Sequence, residues 1–165
     1  MHITICTGTK AAGGRTRHHW RTLIGWIAGV VLVTFALPTL AAPDAPAMNP
    51  PEGYRLVWAD EFNQDGLPDA KRWVWDTFRN REGWFNNEKQ YYAAGRAQNA
   101  VVRDGRLVIT ARREALREAS DWGGQAYTSA RLITRGNAEW TYGYFEISAR
   151  MPCGRGTWPA LWTLG

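Results

Sequence analysis

Ala100-Val101-Val102-Arg103-Asp104-Gly105-Arg106-Leu107-Val108-Ile109-Thr110 decides the fold class. An apolar run enters an Asp-Gly pair and an alternating run leaves it. Asp-Gly suits the tight turn whose twist matches two paired strands, so the stretch predicts a hairpin of strands 100–103 and 107–112. Working outward, the same period of two recurs. Tyr54, Leu56 and Trp58 alternate with Arg55 and Val57, and further strands are expected over 129–134, 142–151 and 157–164. Only 112–120 (RREALREAS) has helix-forming composition, and it reads as a short helix or a loop excursion. Several short strands joined by Gly- and Asn-bearing turns predict an all-β fold, an antiparallel β-sandwich.

The chain has 165 residues, 45% of them hydrophobic, enough for one domain with a sizeable core. Its formal charge of +5 is unevenly placed. Residues 1–42 hold Lys10, Arg15, Arg17 and Arg21 and no acid, leaving 16 basic against 15 acidic side chains elsewhere. A body so near neutrality lacks the clustered cations that bind phosphates, which argues against a nucleic-acid partner.

Residues 1–42 have three parts: a basic stretch to Thr22, an apolar run 23–40, and small residues before Pro43. That order predicts a secretory signal peptide cleaved after Ala41 or Ala42. The alternative is an uncleaved anchor, because about 18 apolar residues lie at the lower limit for spanning a bilayer. Either reading places the body outside the cytoplasm, secreted or periplasmic, and membrane contact follows only from the uncleaved form. Residues 43–53 (PDAPAMNPPEG) read as a Pro/Ala-rich linker, and 54–165 as the folded part. Cys153 is the one cysteine after residue 42 and is expected to be a buried thiol, the alternative being half of a bridge.

Eight of the ten tryptophans follow the linker. Most are expected to fill the core, but indole faces also stack on the C–H faces of sugars. On a regular strand Trp158 and Trp162 would face the same side.

Five blocks in order carry a resemblance: Leu56-Val57-Trp58-Ala59-Asp60-Glu61-Phe62, Asn86-Asn87-Glu88-Lys89-Gln90-Tyr91-Tyr92, Asn99 to Leu107, Tyr127 to Leu132, and Tyr142-Gly143-Tyr144-Phe145-Glu146-Ile147 through Gly156-Thr157-Trp158-Pro159-Ala160-Leu161-Trp162. Together they resemble glycoside hydrolase family 16, the laminarinase and β-glucanase group. The resemblance implies a concanavalin-like jelly roll, incomplete here at its carboxy terminus. It implies a monomer that hydrolyses internal β-1,3- or mixed β-1,3/1,4-glucosidic bonds with retention. Retention needs two carboxyl groups about 5–5.5 Å apart. The family sets them in Glu-x-Asp-x-Glu or Glu-x-Asp-x-x-Glu, shortly after the Trp-Pro-Ala-x-Trp strand. Neither spacing occurs in this sequence. The catalytic pair is therefore expected beyond Gly165, and the chain by itself is expected to be inactive and poorly stable.

What the resemblance carries over is binding. Asn87, or its neighbour Asn86, matches a position whose amide reaches a sugar; Arg131 matches a cleft arginine; Trp158 matches a stacking position, with Trp162 beside it. Each has a plain structural alternative: Asn87 bonding turn backbone, Arg131 pairing with an acid at the core edge, Trp158 packing. Glu88 is implied to orient its neighbours rather than to act as nucleophile. Glu61 resembles a ligand of the calcium that some members bind, with Gly105 offering a carbonyl; no other cofactor is implied. The implied partner is a β-glucan polysaccharide or oligosaccharide. A non-catalytic glucan-binding protein on the same scaffold, and an exported sandwich with a structural or adhesion role, are the alternatives.

Overall fold

The Asp104-Gly105 turn closes as a hairpin because both residues accept the left-handed backbone it needs, at φ 50° and 67°. A computed structural model describes residues 2–8, as a strand, and residues 50–164. Nine strands follow in chain order: β1 (His2–Gly8), β2 (Tyr54–Asp60), β3 (Val74–Trp75), β4 (Gln90–Tyr92), β5 (Ala100–Arg103), β6 (Arg106–Ile109), β7 (Tyr127–Ser129), β8 (Leu132–Ile133) and β9 (Tyr144–Ser148). The one helical element among the described residues is a 3-10 turn, Phe85–Asn87. The described residues are all-β, a partial sandwich built from four small sheets.

β5 and β6 pair antiparallel with Val102 opposite Leu107, and both side chains are buried on one face. They join Phe62, Trp73, Ala100 and Ala130 in the core, with Trp58, Trp75, Leu132 and Trp140 packed against it. The indole of Trp58 meets the rings of Trp73 and Trp140 edge-on, each at 5.5 Å, the arrangement aromatic quadrupoles favour. Asp60 locks the edge of this cluster. Its Oδ1 accepts from the Phe62 N–H (2.9 Å) and its Oδ2 from Trp73 Nε1 (2.7 Å), which holds Phe62 at a positive φ of 52°.

Four features depart from the sequence reading. β4 and β7 run parallel, Tyr91 opposite Thr128, which requires the long crossover 93–126. The strand expected over 129–134 splits into β7 and β8, with Ala130 turned into the core between them. Residues 157–164 form no strand, because none of the described residues supplies a ladder to them. Residues 142–151 shorten to β9 for the same reason. That open segment also corrects the expectation for Cys153, whose thiol is exposed.

Segment 112–120 is a loop of turns, held by side chains rather than by a helical ladder. Glu114 accepts from Arg96 (2.6 and 3.1 Å), from Thr128 Oγ1 (2.6 Å) and from Arg112 Nε (3.1 Å). Asn99, fully buried, ties the same group to Thr128 (2.8 Å). The hydrogen bonds from Arg96, then those from Thr128, hold the Glu114 carboxyl down to about 2. A depressed carboxylate stabilises the fold above the ordinary Glu range and loses that contribution as pH falls towards its folded value. Urea midpoints are therefore expected to fall between pH 5 and pH 2, and the slope should flatten in Glu114→Gln. An equal slope in both proteins would remove Glu114 from the acid transition.

Residues 2–8, read from sequence as part of the basic flank of an export segment, form the middle strand between β2 and β9. Ile3 and Ile5 in that stretch have the period of two. The apolar run 23–40, the cleavage positions at Ala41 and Ala42, and most of the linker lie outside the described residues. No helix among the described residues is long and apolar enough to cross a membrane.

Candidate functional site

Two ladders place the site. In β3–β8, Val74 faces Ile133 and Trp75 faces Leu132, and the Asp76 N–H donates to the Arg131 carbonyl at 2.9 Å. The ladder thus runs one residue further and sets Asp76 opposite Arg131. Asp76 Oδ2 lies 2.8 Å from Arg131 Nε, an ion contact whose angle is too bent for a hydrogen bond. The two side chains keep only 7% and 21% of their surface exposed, so each charge depends on the other.

The Arg131 guanidinium lies between two indoles. Its Cζ is 4.9 Å from the ring centroid of Trp84 and 4.7 Å from that of Trp162. Planar, weakly hydrated guanidinium is the cation that stacks in this way. Trp84 is buried, while Trp162 leaves half its surface open.

Trp84 is fixed from behind. Its Nε1 donates to Asn80 Oδ1 (3.0 Å), and Tyr92 and Phe78 meet its ring edge-on at 4.7 and 5.3 Å. Asn80 is fully buried and also bonds both backbone groups of Tyr92 and the carboxylate of Asp121, each at 3.0 Å. Chain passes close behind it: a Cβ on Gly123 would stand 2.6 Å from the Asn80 carbonyl oxygen, so only glycine fits there.

Glu88, Gln90 and Tyr92 alternate along the next segment. Glu88 Oε2 accepts from Gln90 Nε2 (2.6 Å) and from the Tyr92 hydroxyl (3.1 Å). Burial first, then the Glu88 charge, pushes the Tyr92 phenol up to about 12. Tyr92 therefore remains a neutral donor, and Glu88 is engaged in orienting it.

Of the residues singled out from sequence, the structure brings together Arg131 and Trp162. Arg131 also fulfils its structural alternative, since Asp76 is the acid at the core edge. Asn87 is exposed on the Phe85–Asn87 turn, where it and Asn86 adopt φ 57° and 58°, a conformation that asparagine tolerates. Trp158 is 71% exposed, and with no regular strand there the expected shared face with Trp162 does not form. Glu61 lines a cavity of about 510 Å³ with Asp60, Asp65, Asp69 and Arg72; Gly105 sits on the β5–β6 turn and is not among its walls. No three acidic, His or Cys side chains gather as metal ligands among the described residues.

Trp84, Asp76 and Asn80 were missed from the sequence. Trp84 stands two residues before Asn86-Asn87-Glu88, and that adjacency to a binding block was the available signal. Asp76 and Asn80 carried none, because their partners lie 55 and 12 residues away.

The partial sandwich thus sets a stacked cation and an open indole beside the buried amide of Asn80. No family model matches the chain, but individual relatives do. It is 53% identical over 111 residues to a β-glucanase of Rhodothermus marinus, an alignment covering 67% of this chain and 36% of that protein. It is 43% identical over 115 residues to a glucan endo-1,3-β-glucosidase of Cryptopygus antarcticus, covering 66% and 38%. Among solved structures, SCLam, a non-specific endo-β-1,3(4)-glucanase of family GH16, superposes with a TM-score of 0.56 at 58% identity, over 58% of this chain and 36% of that one. Over this shared stretch the chain is similar to an enzyme of glycoside hydrolase family 16, consistent with a fragment of that family. It spans little more than a third of the length of those relatives.

Proposed function

We propose that residues 54–164 form saccharide-binding subsites of an exported, retaining endo-β-glucanase acting on β-1,3- or mixed β-1,3/1,4-glucan. The observation that carries this is the Arg131 guanidinium held between Trp84 and Trp162. The open indole face suits the C–H face of a glucose ring, and guanidinium donors suit its hydroxyls. The activities of the relatives agree with this reading, and a variant of SCLam has been crystallised with a 1,3-β-D-cellobiosyl-glucose at its active site. Asn87 and Trp158, exposed beside this arrangement in sequence, are the proposed further sugar contacts. Export rests on the basic flank, apolar run and small-residue end of residues 1–42.

Hydrolysis with retention needs a nucleophile and an acid/base. Asp76 and Glu88 are committed to Arg131, Gln90 and Tyr92, and neither Glu-x-Asp spacing occurs in the sequence. In this proposal two glutamates encoded after Gly165 perform the chemistry, and the present residues bind and orient the glucan.

Calorimetric titration of the purified chain with laminari-oligosaccharides tests the binding half. Saturable binding without release of reducing sugar is expected; no binding at millimolar oligosaccharide would overturn it. The coding DNA past the Gly165 codon tests the other half. A downstream Glu-x-Asp-x-x-Glu supports the glucanase. Its absence in every frame, with binding intact, favours the non-catalytic glucan-binding protein instead.

A further inference from the structure

The β4–β7 pair separates its two faces cleanly. Tyr91, Thr128 and Ala130 are buried on one side, whereas Gln90, Tyr92 and Ser129 are half-buried and Tyr127 is exposed. Side chains alternate between the faces of a strand, so these four residues share the opposite face. The parallel register sets Gln90 beside Tyr127 and Tyr92 beside Ser129. Tyr92 and Arg131 both meet the Trp84 ring, at 4.7 and 4.9 Å, which makes this face continuous with the stacked cation. A face built to receive a second sheet is apolar, and this one carries an amide, hydroxyls and the Glu88 carboxylate. Nor is Tyr127 on an open edge: beyond β7, Arg112 and Thr128 exchange backbone hydrogen bonds of 2.9 Å.

The Gln90 amide has a defined orientation. Its Nε2 donates to Glu88 Oε2 at 2.6 Å. A carboxylate only accepts, so it takes the NH2 end of the amide and leaves Oε1 turned away as an acceptor. We propose that Gln90 and Tyr127 form a further glucosyl subsite beside the Arg131 stack. The Tyr127 ring carries the C–H face of one glucose residue, and Gln90 Oε1 accepts a hydrogen from one of its hydroxyls. The pair stands two residues along from Tyr92 and Ser129, roughly 7 Å, room for one more sugar ring. Arg131 can only donate and Gln90 here accepts, so neighbouring sugars are held through opposite ends of their hydroxyl groups. This inference deepens the glucan reading and rests on it.

Sugar length separates a subsite from a structural role. NMR shift titrations of the full chain with laminaribiose and with laminaritetraose read the two affinities. The parent is expected to bind the tetraose more tightly. Gln90→Met removes the acceptor and should lower tetraose affinity about fivefold, the worth of one net hydrogen bond. Tyr127→Leu should lower it by a similar factor, and Tyr127→Phe, which keeps the ring, should match the parent. Laminaribiose, held at Arg131 and Trp162, should bind all three variants like the parent, while Arg131→Lys weakens both sugars. Equal losses for both sugars in Gln90→Met and Tyr127→Leu, or no loss for either, overturn the subsite and leave the glucan reading standing. Equal affinity of the parent for biose and tetraose does the same. A parent that binds neither sugar overturns the glucan reading and this subsite with it.

Discussion

Asn80→Leu is expected to lower the melting temperature by roughly 15 °C. The substitution is close in volume, so little of the effect comes from a cavity. It removes four hydrogen bonds at a fully buried position and leaves Trp84 Nε1, the Tyr92 N–H and the Tyr92 carbonyl without partners. Each buried group left unsatisfied costs about 1–3 kcal/mol, and with three the total reaches on the order of 4 kcal/mol. A domain of this size loses several degrees for each kcal/mol. Asn80→Asp keeps the acceptor for Trp84 but sets a carboxylate against that of Asp121, and should be no better tolerated. Differential scanning calorimetry reads both variants. A melting temperature within two or three degrees of the parent would mean that the corner is hydrated rather than closed.

The second large effect concerns Arg131 and its two indoles. Arg131→Lys keeps the charge opposite Asp76 but loses the flat face that lies on Trp84 and Trp162. Laminari-oligosaccharide affinity is expected to fall about tenfold, near 1.4 kcal/mol, with the melting temperature little changed. Arg131→Met should add instability, because the 7%-exposed Asp76 is left without its counter-ion, a loss of about 3–5 kcal/mol in buried pairs. Undiminished affinity in the lysine variant would show that a point charge suffices and that the stacked plane is incidental.

What could be read from the sequence follows the range of the interactions. The β5–β6 hairpin was legible because strand, turn and strand lie within ten residues, and Asp104-Gly105 states its own turn. β2 was legible from Tyr54, Leu56 and Trp58. β3 and β4 were not, being two and three residues long and defined by partners at 132–133 and 127–129. The strand expected over 157–164 has the right alternation, but alternation alone forms no ladder. Cys153 was placed inside on the habit of thiols, and its exposure follows from that missing ladder. In the site, Arg131 and Trp162 came from resemblance. Asp76, Trp84 and Asn80 came only from three dimensions, since an asparagine or an aspartate in a turn-rich stretch looks like any other turn residue.

The Arg131 stack also has a timetable. Asp76 and Trp84 are synthesised about fifty residues before Arg131, and at roughly 5–20 residues per second they wait several seconds for it. The hairpin of β5 and β6 is complete within that interval, whereas the stack needs the distant β3–β8 pairing, and distant pairings are slow to find. On a nascent chain the Asp76 carboxylate stays solvated and the Trp84 ring stays open until the later strand arrives. The stacked cation is thus a closing step of biosynthesis, formed beside the exposed rings of Phe78 and Phe85.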